Sequence, residues 1–189
     1  MKILTISGSP RRQGHTARAL DFLEKELLTL GHQTERVNVV DYTIHGCLGC
    51  NACFKEKAGP VCVQNDDAQL IFDKIMKADR VVYASPLYSW SYTAQMKALI
   101  DRHYGMVTKH GSEDQSSVLE NKPVALLITC SRPDENNSDL VQKSFDRGFE
   151  ELKCKIAGKF TLPNSYEDDY PNRAQQTAQR LTEALINCN

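Results

Sequence analysis

Residues 2–16, "KILTISGSPRRQGHT", begin as a compact apolar strand and break into a glycine-bracketed loop with two arginines, ending on a threonine where a helix can start. A loop of this kind suits an anion, because the free N–H groups and the dipole of a helix start both favour negative charge. Gly8 and Gly14 enclose five residues where a triphosphate loop has four, and His15 stands in the place of its lysine. The dinucleotide fingerprint G-x-G-x-x-G is also missing, with Pro10 and Arg11 in the middle of the loop. What remains is a single phosphate near residues 14–17, with hydroxyl donors on Ser9 and Thr16 and a charge-assisted donor on Arg11. From this loop alone a capped helix start, with Arg11 and Arg12 in solvent, stays open beside it.

Strand-like and helix-like segments alternate outward from this stretch. A helix after Thr16 sets Leu20, Leu23, Leu27 and Leu30 on one face and ends at Gly31. A second strand follows over 34–41, then a helix over 66–79 with acidic residues at its positive end and Leu70, Ile71 and Ile75 inward. "RVVYAS" (80–85) is a third strand, stopped by Pro86, and a helix over 93–103 carries Met96, Leu99 and Ile100. The remaining elements are a strand at 122–130, a helix at 138–152, a strand at 154–162 and a helix at 171–186 opened by Pro171. Residues 104–121 and 163–170 read as polar connections. Five strands, each followed by a helix, predict an α/β single domain over residues 1–189: a three-layer sandwich with a five-stranded parallel sheet in the order 2-1-3-4-5. Ligands in such a sheet bind beyond the carboxyl ends of strands 1 and 3, which singles out loops 8–16, 86–92 and 129–136.

The 189 residues have a formal net charge of −1, which argues against a nucleic-acid partner. The longest unbroken apolar run is "VALLI" (124–128), and the first strand is too short for a signal peptide's apolar core, so a soluble, cytoplasmic protein with no membrane partner is expected. Seven cysteines without a secretion signal are expected to be reduced thiols, metal ligands or packing residues.

The second loop, within "SPLYSWSYTAQMKALIDR" (85–102), puts Tyr88, Trp90 and Tyr92 beyond strand 3, where aromatic side chains suit a flat ring system or cover the core or a subunit partner. Lys97 and Asp101 read as an ordinary helix pair. Together, "GSPRRQGHT" and this segment resemble the NADPH-dependent FMN reductase family of flavodoxin-like proteins. The resemblance implies bound FMN with its phosphate near Ser9, Arg11, His15, Thr16 and Ala17. It implies an isoalloxazine against Pro86, Leu87, Tyr88 and Ser89, with Trp90, Thr129, Cys130 and Ser131 adjoining. Members often carry asparagine where this chain has His15, and a glycine-rich turn where it has "TCSRPDENN" (129–137). The resemblance further implies a homodimer or homotetramer.

"CLGCNACFKEKAGPVC" spaces Cys47, Cys50, Cys53 and Cys62 by two, two and eight residues. Two consecutive C-x2-C units resemble the cysteine motif of iron–sulfur flavoproteins, a branch of the same wider family. A [4Fe-4S] cluster, a structural zinc, reactive thiols near a flavin and cysteines without a ligand all remain open here. Cys130, Cys154 and Cys188 read as packing residues.

With FMN bound the hard chemistry belongs to the cofactor, so no catalytic side chain is expected. The expected function is an FMN-dependent NAD(P)H oxidoreductase that reduces a small acceptor such as a quinone, a nitro or azo compound, or free flavin. Trp90, Tyr92 and loop 104–121 are candidates for shaping the acceptor pocket. The alternatives are an iron–sulfur flavoprotein that carries electrons and a phosphate-binding protein with no redox role.

Overall fold

The computed structural model describes residues 1–54 and 62–188. Five parallel strands form one sheet: β1 (Lys2–Ser7), β2 (Gln33–Asn38), β3 (Arg80–Pro86), β4 (Pro123–Thr129) and β5 (Lys155–Leu162). Their spatial order is β2-β1-β3-β4-β5, the doubly wound order expected. The register runs from Ile3 opposite Arg80 to Ser7 opposite Ala84, so the loops leaving β1 and β3 emerge side by side.

Helices α1 (His15–Thr29), α2 (Ala68–Lys77), α3 (Ala94–Arg102), α4 (Asp139–Glu151) and α5 (Tyr170–Asn187) cover both faces. The two-residue period of the strands divides the core. Leu4, Ile6, Val124, Leu126 and Ile128 join α2, α3 and α4, through Ile71, Phe72, Met96, Leu99, Phe145 and Phe149. Ile3, Ala125 and Leu127 face the other way, onto Leu20, Leu23 and Leu27 of α1 and Leu181 and Leu185 of α5.

Several local expectations shift. Helix α1 ends as expected at Gly31, whose φ of +79° suits glycine; Gly31 N–H bonds Leu28 O and His32 N–H bonds Leu27 O, the paired closure of a helix C-terminus. Leu30 lies past the last turn and is exposed. Helix α2 starts at Ala68, so its buried stripe is Ala68, Ile71, Phe72 and Ile75, and Leu70 is 53% exposed rather than inward. Strand β2 stops at Asn38, and Val39–Asp41 form a 3-10 turn. The 104–121 connection contains a 3-10 turn (His103–Met106) and a short antiparallel ladder that pairs Val107–Thr108 with Ser116–Ser117. Among the described residues no helix is long and apolar enough to cross a membrane.

Gly8 fixes how closely β1's loop approaches α3. A Cβ built there would lie 2.6 Å from Met96 Cβ, inside contact distance. Gly8→Ala therefore overpacks a buried seam, and we expect it to lower the unfolding free energy by about 1–3 kcal/mol, read from urea unfolding.

Candidate functional site

At the carboxyl end of the sheet, loops after β1, β3 and β4 line one cavity of about 150 Å³. Its walls include Ser9, Arg11, His15, Pro86, Leu87, Tyr88, Thr129 and Ser131. The three loops singled out in the sequence thus meet at one place. Leu87, Cys130 and Ser131 also wall an adjoining cavity of about 290 Å³ that contains Ser89 and Trp90.

The first loop is held by short-range bonds. Ser9 Oγ accepts from Arg11 N–H and donates to Arg11 O, both at 3.1 Å, so the hydroxyl stitches the loop together. Helix α1 has Gly14 as its cap residue, no side-chain cap bond and no acidic residue in its first turn. Arg18 N–H is the first to reach a helical acceptor, Gly14 O at 3.1 Å, which leaves the amides of residues 15–17 before it. The two arginines divide. Arg12 pairs with Asp41, whereas Arg11 has no ion-pair partner among the described residues.

His15 sits edge-on between Tyr166 and Tyr170, each ring centroid 4.9 Å away, and Tyr170 donates its hydroxyl to His15 O at 2.7 Å. Burial, then the charges of Arg18 and Arg11, lower the imidazole pKa below the ordinary value, so the ring is neutral at pH 7. Its Nδ1 is buried without a partner among the described residues. Thr16 and Ala17 are buried and do not line the cavity. Thr16 Oγ1 instead lies 2.7 Å from Thr129 Oγ1, tying the start of α1 to the end of β4.

Beyond β3, Tyr88 and Ser91 exchange both backbone bonds, at 3.0 and 2.9 Å, around a two-residue turn. Ser89 and Trp90 both have positive φ, 48° and 58°, conformations that side-chain-bearing residues adopt at a cost. Tyr92, expected on the exposed loop, is only 4% exposed and packs in the core. The 104–121 segment, a candidate for the acceptor pocket, lines neither of these two cavities.

Cys130, read both as a packing residue and as adjoining the ring, is buried and lines both cavities; burial pushes its thiol up to about 11, so it stays protonated at neutral pH. Sequence reasoning missed two contributors. Ser165 and Tyr166 come from the connection after β5, outside the three loops that the switch-point rule selects. That connection is carried over the site because α5 packs beside α1, and Ser165 N–H is fixed to Cys130 O at 3.0 Å. A tyrosine in an otherwise polar connection was the available signal.

The four cysteines gather in a different way. Cys47, Cys50, Cys53 and Cys62 line a separate cavity of about 150 Å³ with Asp101, Arg102 and Tyr104. Burial and the neighbouring Cys62, Cys47 and Cys50 raise the Cys53 pKa. Among the described residues no three ligand-type side chains converge closely enough to hold a metal ion. Residues 55–61 of the motif lie outside the described residues.

The neck of this loop is zipped shut. Thr43 N–H bonds Asp67 Oδ2 at 2.8 Å, His45 N–H bonds Asp66 Oδ2 at 2.9 Å, and Gln64 Nε2 donates to Gly46 O at 3.1 Å. Asp66 also pairs with Arg102, both side chains almost wholly buried. The acidic residues expected at α2's positive end thus reach backward to the cysteine segment, although Asp66 Oδ1 still accepts from Ala68 N–H at 3.1 Å.

The chain matches the model of the NADPH-dependent FMN reductases over residues 1–142. The chain belongs to that family. It is 35% identical to an iron–sulfur flavoprotein of Clostridioides difficile, in an alignment that covers 100% of this chain and 79% of that protein. It is 38% identical to an iron–sulfur flavoprotein of Archaeoglobus fulgidus over 102 residues, 54% of this chain and 48% of the relative. The aligned stretch therefore spans about half the length of the first curated relatives. Among solved structures, NAD(P)H:quinone oxidoreductase from Methanothermobacter marburgensis superposes with a TM-score of 0.75 at 16% identity, covering 100% of this chain and 99% of that one. RosB, solved with an 8-demethyl-8-formylriboflavin-5′-phosphate intermediate, gives 0.73 at 18% identity, over 100% of this chain and 77% of that one. At such identities these neighbours show the flavodoxin-like fold.

Burial pushes the Asp66 carboxyl up, but the N–H groups of His45 and Ala68 and the Arg102 guanidinium outweigh it, so its pKa falls below the ordinary value. A depressed carboxylate stabilises the fold above its unfolded pKa and loses that contribution as pH falls through the folded value. Asp66→Ala, which strands Arg102, is expected to cost about 3–5 kcal/mol in urea unfolding. In Asp66→Asn, stability should fall less steeply below about pH 4 than in the parent chain.

Proposed function

We propose that this chain is an FMN-dependent oxidoreductase that takes electrons from a reduced nicotinamide and passes them to a small organic acceptor. One observation carries the proposal: the loop with Arg11 and His15, the Pro86–Tyr88 segment and the end of β4 line one cavity beside an uncapped helix start. Family membership supports the same reading. Bound FMN supplies hydride acceptance and onward electron transfer, so the protein needs only to bind, orient and shield it.

The residues fit that cofactor. The α1 amides and the Arg11 guanidinium hold the phosphate, and the buried His15 Nδ1, as the N–H tautomer, donates to it. Ser9 shapes this cradle through its bonds to Arg11, and Thr16 through Thr129, while Ala17 contributes its amide. Pro86, Leu87 and Tyr88 supply the apolar wall for the ring system. Ser89, Trp90, Thr129 and Ser131 border it. Cys130 keeps its proton at neutral pH and is not assigned a nucleophilic role. The donor is NADH or NADPH, and a quinone, a nitro or azo compound, or free flavin is the acceptor class.

Comparing FMN with riboflavin isolates the phosphate site. Arg11→Ala should weaken FMN binding by about 10- to 100-fold and leave riboflavin binding unchanged, measured by flavin fluorescence titration. A purified chain that takes up no FMN would overturn the proposal.

A second reading is favoured by the common cavity of Cys47, Cys50, Cys53 and Cys62 and by the relatives named iron–sulfur flavoprotein. Four thiols are the right donor set for a [4Fe-4S] cluster, but they are not drawn together at ligand distances, so no step is assigned to it. Iron and acid-labile sulfide in stoichiometric amounts after anaerobic purification would establish that reading. Association into a homodimer or homotetramer is part of the first proposal and is read by light scattering.

A further inference from the structure

In the segment "SRPDENN" (131–137), which stands where the resembling family often has a glycine-rich turn, only Ser131 borders the proposed ring site, and residues from Arg132 onward have no part in it. It lines two cavities next to the cofactor pocket. One, of about 290 Å³, is walled by Leu87, Trp90, Cys130, Ser131 and Arg132, and the other, of about 440 Å³, by Trp90, Arg132, Pro133 and Glu135. Trp90 and Arg132 face both.

We propose that Trp90 and Arg132 form a subsite for a co-substrate that combines a flat aromatic ring with an anionic group. The proposal rests on the flavin reading above and names the substrate class of that site. Trp90 is 53% exposed, so it adds little to the core, and its φ of 58° is a conformation that glycine or asparagine adopts more cheaply. Neither packing nor local backbone preference explains an indole at this position. A ring stacked on it does.

Arg132 is exposed, and among the described residues its guanidinium has neither an ion pair nor a hydrogen bond. Its backbone is nevertheless fixed, with its carbonyl accepting from Cys130 Sγ at 3.4 Å and from Asn164 N–H at 3.3 Å. Of the nearby acids, Asp134 is engaged by Ser138, and Glu135 lines only the outer cavity. Among the described residues, the inner cavity, which shares Leu87, Cys130 and Ser131 with the cofactor pocket, therefore has a cation and no anion among its lining side chains. A carboxylate, sulfonate or phosphate on the co-substrate meets Arg132 there while the ring lies against Trp90.

Two sources share this chemistry: an acidic aromatic acceptor, and the phosphorylated adenosine of NADPH. Trp90 is the chain's single tryptophan, so its fluorescence reports on the subsite independently of turnover. The test titrates the parent chain and Arg132→Gln with a sulfonated naphthoquinone, its neutral parent, NADPH and NADH, while Trp90→Gly, which lacks the fluorophore, is read by steady-state kinetics. Arg132→Gln should weaken the sulfonated quinone by about 10- to 100-fold relative to the neutral one if the acceptor is the source. The same loss for NADPH relative to NADH identifies the donor as the source.

Trp90→Gly should weaken steady-state KM for aromatic acceptors by about 2- to 10-fold while its thermal midpoint stays level or rises, because glycine relieves the left-handed strain. Equal effects of Arg132→Gln on the sulfonated and neutral quinones, and on NADPH and NADH, would overturn the subsite. Failure of the parent chain to bind FMN would instead overturn the underlying flavin reading, since the fluorescence titration does not require it.

Discussion

Thr93 Oγ1 donates to Gly8 O at 2.6 Å, and the arrangement of the site depends on that bond. The same hydroxyl accepts from Met96 N–H at 3.2 Å to cap α3, and Thr93 N–H reaches Ser85 Oγ at 3.3 Å. One buried threonine thus joins the end of β1, the end of β3 and the start of α3. Gly8 N–H bonds Ala84 O at 2.8 Å, and the lack of a Cβ on Gly8 lets the chains come this close. With the two loops locked together, the Arg11–His15 and Pro86–Tyr88 walls of the cavity, the proposed sites of phosphate and ring, have a fixed separation. Preorganisation of this kind limits the ordering cost of binding a cofactor.

The cysteine loop is controlled by a second buried device. Asp66 accepts from both sides of the loop's neck and is neutralised by Arg102, a residue only 3% exposed. A buried ion pair contributes little net stability over an apolar pair, but breaking it is costly. Its structural effect is positional: it pins the entrance and exit of the cysteine segment to the end of α3. His103, the next residue, is wholly buried between Tyr83 Oη and Leu99 O, at 2.8 Å each, and burial depresses its pKa to about 4. It is a satisfied core histidine, neutral at physiological pH, with no role at the site.

Much of this was legible in the sequence because the periodicities are strong. The alternation of five apolar strands with amphipathic helices specified the layers, and the spacing between Gly8 and Gly14 matches neither a triphosphate loop nor a dinucleotide fingerprint. Local chemistry was less legible. Ser9 and Thr16 were assigned as phosphate donors by residue type, yet Ser9 is satisfied within its own turn and Thr16 by Thr129. Tyr92 and Trp90 are two residues apart, and nothing in their identity tells which is core and which is solvent-facing. The paired left-handed residues at 89–90 turn the chain and decide it.

The sequence by itself determined the class of fold, the order of the sheet and the three loops that border its switch point, because these follow from hydrophobic period and connection length. Only the tertiary structure decided which side chains remain free to meet a ligand. Among the described residues Arg11 is left without an acid while Arg12 is consumed by Asp41, and Ser165 and Tyr166 arrive at the pocket because α5 packs beside α1. Residue type sets what a side chain can bind; packing across the sheet sets whether it has already been bound within the fold.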